Sequence, residues 1–78
     1  MIFIVAEKKW QAEDRARKEN LAPGKWAYVS HRDVIRGFRG PQNKLWLTGS
    51  WRRRGASELE LIMTLARIQE FSEPEIKE

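Results

Sequence analysis

The residues best suited to binding chemistry lie in segment 51–54, where a tryptophan precedes three consecutive arginines. Guanidinium groups bind phosphate oxygens through paired N–H donors, and an exposed indole ring is a surface on which a nucleic-acid base can stack. Segment 8–10 repeats the combination with two lysines and a tryptophan. The two segments indicate a surface for polyanions, provided that the fold brings them together.

A nucleotide-binding loop is the first alternative that segment 51–54 raises. The phosphate-binding P-loop has the pattern G-x-x-x-x-G-K-[ST], because its backbone N–H groups hold the phosphates while the lysine and the hydroxyl supply charge and a magnesium ligand. Here the interval from Gly49 to Gly55 is one residue too long, and Ala56 stands where lysine is required. The sequence therefore argues against nucleotide hydrolysis by this route.

A catalytic pair is the second alternative. His31, the only histidine, lies two residues before Asp33, and such a pair can act as a general base with its orienting group. Cysteine is absent, no serine is marked as a nucleophile by its neighbours, and no second histidine is available as a metal ligand. We therefore expect a non-enzymatic protein with no catalytic residues, no metal site and no cofactor. An enzyme or a nucleotide sensor at the same surface stays open as an alternative to the two binding functions given below.

The net charge of +4 is unevenly distributed along the chain. Residues 32–54 hold seven basic and one acidic side chains, a net +6, whereas residues 55–78 hold two basic and six acidic ones, a net −4. A basic centre of this kind is typical of a surface for polyanions, and equally of a charged face that only keeps a protein in solution. Both interpretations stay open at this point.

Three apolar runs predict β-strands, over residues 2–6, 25–30 and 44–48. The first run is continuously apolar, as in a strand that is covered on both faces. Because helical segments separate the runs, the pattern predicts parallel strands joined by right-handed crossovers. The expected fold is α/β, a single βαβαβα domain with a minimal three-stranded parallel sheet in the order 2-1-3 and crossover helices.

Helical segments follow each of these strands. The first, residues 8–20, places Ala12 and Ala16 on one face, where their small side chains allow close approach to a sheet. A short helix is predicted for residues 32–38 and the longest for about 58–71. The two later helices begin with residues that match the capping box, namely Ser30 with Asp33 and Ser57 with Glu60.

Parallel strands end at the same edge of a sheet, so the segments that follow the three strands are expected to meet there. That edge would gather cationic side chains, two tryptophans and the N-termini of helices, which together favour anions. The predicted nucleic-acid-binding residues are Lys8, Lys9, Trp10, Arg32, Trp51, Arg52, Arg53 and Arg54.

The last helix carries a wider apolar surface than one contact with a sheet requires. Leu61, Leu65 and Ile68 form a second stripe beside the one that would pack on the sheet. This stripe predicts a protein interface, in a homodimer or with another protein. In so small a domain, however, both stripes can also fold inward.

Residues 1–72 are expected to form the single domain and residues 73–78 an acidic, flexible C-terminal tail. The first apolar run has only five residues, Ile2 to Ala6, which is too short for a signal peptide or a membrane span. We therefore expect a cytoplasmic protein with no membrane partner.

The chain resembles small uncharacterised α/β proteins encoded by phages of actinobacteria. The resemblance lies in the order of its parts: a first strand, an alanine-containing helix, the segments LAPGKWAYVS, IRGFRG and LWLTGSW, and a final helix. The resemblance covers Ile2 to about Ile68 and depends on hydrophobic spacing and a few turn residues. It implies a phage accessory protein that acts in the host cytoplasm, and it brings no active-site residues with it.

Two functions follow from these observations. The leading hypothesis is a non-enzymatic protein that contacts nucleic-acid phosphates through the basic edge, with Trp51 and Trp10 stacking on bases. The alternative is a protein-interaction module that binds and modulates a host protein through the stripe on the last helix and Trp51.

Overall fold

The computed structural model describes all 78 residues, from Met1 to Glu78. Its centre is a four-stranded sheet in which all neighbouring strands are parallel, in the order β2-β1-β3-β4. Two α-helices cover this sheet. The elements are β1 (Ile2–Val5), α1 (Lys9–Lys18), β2 (Trp26–Tyr28), β3 (Lys44–Thr48), α2 (Ala56–Ile68) and β4 (Glu75–Lys77), with 3-10 turns at Arg32–Ile35 and Trp51–Arg54.

The prediction of an α/β fold with a parallel sheet is confirmed, and the first three strands have the expected order, but the prediction of three strands is wrong. β4 pairs with β3, with Trp46 opposite Glu75 and Thr48 opposite Lys77. It lies within residues 73–78, the segment expected to be a flexible tail. No apolar run signals β4, because two of its three residues are charged. Lys77 Nζ also lies 4.6 Å from the centroid of the Trp46 ring, which adds a cation–π contact to the backbone pairing.

The two helices lie on opposite faces of the sheet, and each face has its own apolar core. On the α1 face, Ala12 and Ala16 pack against Ile4 and Trp46, so the small alanines do allow the predicted close approach. β1 contributes to both cores, which explains its continuous apolar run. The core of the α2 face consists of Phe3, Val5, Val29, Ile35, Leu45, Leu47, Ile62 and Ala66.

The crossover between β2 and β3 contains no α-helix, contrary to the prediction for residues 32–38. The 3-10 turn buries Ile35 and ends there, and Gly37 then adopts a φ of +93°, which is outside the helical region. His31, rather than Ser30, caps the turn, since its Nδ1 accepts a hydrogen bond from the Asp33 N–H at 3.2 Å. Through Ile35 the turn joins the same apolar core as Ile62 and Ala66 of α2.

α2 begins two residues earlier than predicted and ends at Ile68. The residue before the helix is Gly55, which has a φ of +89°, and no side chain caps the N-terminus of the helix. Because the helix starts at Ala56, Ser57 lies inside its first turn, and the predicted capping box is wrong. The 3-10 turn at Trp51–Arg54 leads almost directly into the helix, which is why it starts early. Neither of the two α-helices has the length and hydrophobicity of a transmembrane span.

Buried amide side chains close the N-terminal edge of the sheet. Gln69 is 5% exposed, and its Nε2 donates to the backbone oxygen of Ile35 at 2.6 Å and to that of Phe38. Asn43 Nδ2 donates to the backbone oxygen of Arg39 at 2.8 Å. These bonds satisfy carbonyl groups at the end of the 3-10 turn and in the loop that follows it, and they fix this segment to α2 and to the start of β3.

Candidate nucleic-acid interface

The segments that follow β1, β2 and β3 all leave the sheet at its C-terminal edge, because the strands are parallel. β4 ends at the same edge and places Glu78 there. We call this surface the C-terminal rim and define it as segments 7–10, 30–32 and 49–54 together with Glu78. All eight residues predicted to bind nucleic acid lie on it, but they have different environments.

Of the three consecutive arginines 52–54, Arg54 points into the protein, and its side chain is only 6% exposed. Its Nη1 donates to the backbone oxygens of Ala6 and Val29, and its Nη2 donates to the backbone oxygen of Ser30 and to the Glu58 carboxylate. These contacts join the ends of β1 and β2 to the first turn of α2. Because both terminal nitrogens are engaged within the protein, the structure does not present Arg54 to a phosphate, contrary to the prediction.

Gln11 fills the crevice between β1 and β3, where the chain reverses direction and where ligands bind in many open α/β sheets. Its Nε2 donates to Ser50 Oγ at 3.2 Å, and its Oε1 accepts from the Ser50 N–H at 3.4 Å. Gly49 permits this approach, since a Cβ there would lie 2.7 Å from Gln11 Cδ. No local sequence pattern signals the bridge, because its partners are 39 positions apart. A ligand that entered this crevice would have to displace Gln11 from Ser50.

Trp51 and Arg52 form a unit that is satisfied largely by the protein itself. Trp51 is half-buried and packs against the core of the α2 face, and its Nε1 is buried without a hydrogen-bond partner. The Arg52 guanidinium lies 4.4 Å from the centroid of the indole ring, and its Nη1 is 3.5 Å from Glu78 Oε1. The structure therefore gives Trp51 a packing role and leaves little of its ring for stacking on a base.

Four cationic residues of the C-terminal rim form no salt bridge: Lys8, Lys9, Arg32 and Arg53. Arg32 is half-buried and the other three are exposed. Both α-helices also begin at this edge, and the N-terminus of a helix carries a partial positive charge. These four unpaired cations and the two helix N-termini favour an anion at this edge, where the carboxylates of the rim itself are Glu7 and Glu78.

Trp10 is the exposed aromatic residue of the rim, with 64% of its surface accessible. It lies in the first turn of α1, directly after the two lysines. Beside it is a groove of about 330 Å³ between α1 and the end of β3. An exposed indole with hydrogen-bonding groups close by suits a stacked nucleic-acid base. The groove is lined by Trp10, Gln11, Asp14, Arg15, Lys18, Thr48, Gly49 and Glu78.

The stripe predicted as a protein interface is only partly available. Leu61 and Ile68 are 48% and 62% exposed on the outer surface of α2. Leu65 instead packs against the core of the α2 face. The outer surface of α2 therefore offers two separate apolar contacts about two turns apart.

The candidate catalytic pair lies on the surface. His31 Nδ1 is 3.4 Å from Asp33 Oδ2, and the same carboxylate is 3.0 Å from Arg36 Nη2 through its other oxygen. Neither His31 nor Asp33 lines a cavity. No group of three or more histidine, cysteine, aspartate or glutamate side chains is placed to hold a metal ion. The pair acts as the cap of a 3-10 turn.

Comparisons with protein-family models, curated proteins and solved structures give no match to this chain. Two surfaces of the chain therefore indicate its function through their geometry and charge, first the C-terminal rim and second the outer surface of α2.

Proposed function

We propose that the protein binds nucleic acid without catalysis, through the C-terminal rim. The four rim cations that form no salt bridge contact the phosphates, and Trp10 stacks on a base. Arg54 does not contact the nucleic acid; it holds together the ends of β1 and β2, which lead into the rim. As a working context, we propose an accessory protein encoded by a phage and acting in the host cytoplasm.

The observation that supports this proposal most is the set of four rim cations that form no salt bridge. Two of them, Lys8 and Lys9, directly precede the exposed Trp10. A phosphate that meets a free cation does not have to displace a carboxylate first. The two helix N-termini at the same edge add to the attraction. Because the crevice between β1 and β3 is filled, the nucleic acid lies across the rim rather than within a pocket.

A salt series tests the proposal directly. Each cation that neutralises a phosphate releases condensed counterions, so the logarithm of the affinity falls linearly with the logarithm of the salt concentration, by about 0.7 per contact on a single strand. Four contacts give a slope of about −3. Fluorescence anisotropy of a labelled single-stranded oligonucleotide measures this slope. An affinity that does not depend on salt would contradict phosphate binding.

The exposure of Leu61 and Ile68 favours a second candidate function, a module that binds and modulates a host protein. Large apolar side chains on the outside of a helix are typical anchors of protein interfaces. In this case the binding energy comes from burial of the two side chains and does not require the rim.

Purification from host lysate after nuclease treatment separates the two functions. A protein that co-purifies in stoichiometric amount and is lost in the Leu61→Ser/Ile68→Ser variant supports the second function. Loss of all bound material on nuclease treatment supports the first. The Lys8→Gln/Lys9→Gln variant is the control, since it changes the rim and leaves α2 untouched.

A further inference from the structure

β4 leaves one edge of the sheet open. It pairs with β3 on one side only, so the backbone N–H and C=O groups that point outward from Glu75–Lys77 have no strand partner. An edge of this kind can pair with a strand of another chain. Pro74 precedes β4 and has no N–H to donate, so a new pairing is confined to the residues after it.

The sequence of β4 complements itself when two copies run antiparallel. About a two-fold axis through the Ile76 pair, Glu75 of each copy lies opposite Lys77 of the other. Opposite charges directly across an antiparallel pair are stabilising, and two-fold symmetry makes the contact occur twice. The other edge strand, β2, consists of Trp26, Ala27 and Tyr28 and offers no pairing of charges.

Glu75 and Lys77 already lie where the pairing between two copies requires them. Glu75 and Lys77 lie on the α1 face, where Lys77 Nζ is 3.4 Å from Glu75 Oε2 within one chain. Pairing between copies replaces this contact with two equivalent ones across the axis. No charge is left without a partner, so the pairing costs little in electrostatic energy.

Ile76 supplies the apolar contact on the opposite face. It is 52% exposed, and its register opposite Leu47 places it on the α2 face. A groove of about 380 Å³ lies on the same face, lined by residues of α2 and of the segment that leads into β4, including Met63 and Phe71. In an antiparallel pair, the two Ile76 side chains cover each other beside this groove.

We propose that β4 joins two copies of this chain into a dimer with one continuous eight-stranded sheet, formed from two four-stranded ones. The two-fold axis is perpendicular to the sheet, so the two C-terminal rims face opposite directions. Each copy therefore binds its own stretch of nucleic acid. The dimer is independent of the function proposed for the rim, because no rim cation takes part in it.

Sedimentation equilibrium over a range of protein concentrations tests the dimer. The wild-type chain should show a monomer–dimer equilibrium, and Glu75→Lys should raise the dissociation constant at least tenfold. The exchange Glu75→Lys/Lys77→Glu recreates both cross-strand pairs in reverse, so it should bind clearly more tightly than Glu75→Lys. It should stay weaker than the wild type, because a glutamate at position 77 cannot replace the contact of Lys77 with Trp46. Glu73→Lys is the matched control, since it makes the same change of charge outside the strand and should leave the equilibrium unchanged.

Three results would overturn the dimer proposal. The first is a chain that stays monomeric at all concentrations. The second is an exchange variant that dissociates as readily as Glu75→Lys. The third is a dimer that survives Glu75→Lys and is lost in Ile68→Glu, because the interface would then lie on α2. If a charge variant does not fold, Ile76→Thr keeps a β-branched residue and should weaken the dimer; an unchanged constant would count against the proposal.

Discussion

At the N-terminal edge of the sheet the neutral amides of Gln69 and Asn43 hold the loop before β3, whereas at the C-terminal edge the guanidinium of Arg54 holds the ends of β1 and β2. Both solutions satisfy backbone carbonyl groups that no strand or helix uses. The arginine brings a charge with it, and Glu58 neutralises that charge. A count of arginines therefore overstates the charge that the C-terminal rim presents to a ligand.

The same two edges also carry comparable numbers of free cations in different settings. Lys25, Arg39 and Lys44 at the N-terminal edge are exposed and form no salt bridge. Only the C-terminal rim combines such cations with helix N-termini and an exposed indole. Charge alone thus does not distinguish the two edges, but the arrangement around the charge does.

The largest effect is expected from removal of the bond network at the C-terminal edge. Arg54→Ala removes the side-chain donor of the Val29 oxygen and one of the two side-chain donors of the Ala6 oxygen, which also accepts from the Tyr28 hydroxyl. It also leaves Glu58 without its cation, so the free energy of unfolding should fall by about 3 kcal/mol. Urea denaturation measures the change. Arg53→Ala is the control, because Arg53 is exposed and unpaired, and it should change the stability by less than about 0.5 kcal/mol. Equal losses in the two variants would show that Arg54 has no special role.

Removal of the bond network at the N-terminal edge should cost somewhat less. Gln69→Leu keeps the volume of the side chain but cannot donate to the carbonyls of Ile35 and Phe38, so we expect a loss of about 2 kcal/mol. Urea denaturation of the double variant with Arg54→Ala sharpens the comparison. The two losses should add to within about 0.5 kcal/mol, because the two networks share no partner. Strong non-additivity would mean that the edges are coupled.

The two tryptophans of the rim should respond in opposite ways. Trp10→Ala should weaken binding of a single-stranded oligonucleotide by about 1–3 kcal/mol, since stacking on a base is lost, and leave the melting temperature unchanged. Trp51→Ala should lower the melting temperature, because Trp51 packs against the core. Fluorescence anisotropy and thermal denaturation of both variants measure the difference. If only Trp51→Ala lost binding and its fold stayed intact, Trp51 rather than Trp10 would be the residue that stacks on a base.

The smallest effect is expected at the crevice between β1 and β3. Gln11→Ala removes the hydrogen bonds to Ser50, which are partly exposed, so the free energy of unfolding should fall by about 1 kcal/mol. The measurement is again urea denaturation. Gln42→Ala is the comparison, since the exposed Gln42 side chain donates only to the Arg39 oxygen, which also accepts from Asn43. If Gln11→Ala lowered the free energy of unfolding more than Gln69→Leu does, the bonds at the crevice would stabilise the sheet more than those at the N-terminal edge.

The sequence predicts the central part of this fold because its signals are local. β1 and β3 are apolar runs, and Ala12 and Ala16 mark the face of α1 that approaches the sheet. β4 has no such signal, since its stability depends on pairing with β3 and on the contact of Lys77 with Trp46. A three-residue edge strand is visible only when its neighbour is in place.

The candidate site is predictable as a location but not residue by residue. Parallel strands bring the basic segments to one edge, as the topology requires. Sequence alone cannot show that Arg54 turns inward while Arg53 stays exposed, because this depends on carbonyls contributed by β1 and β2. The different roles of Trp10 and Trp51 are set by the same kind of distant contact.

The most direct test of the account compares two triple variants with the same loss of charge. Lys8→Gln/Lys9→Gln/Arg53→Gln changes the C-terminal rim, and Lys25→Gln/Arg39→Gln/Lys44→Gln changes the N-terminal edge. The measurement is the salt dependence of affinity for a single-stranded oligonucleotide. The rim variant should reduce the slope by about 2, at about 0.7 per lost phosphate contact, whereas the other variant should keep the wild-type slope. Equal slopes in the two variants would contradict a nucleic-acid interface at the rim.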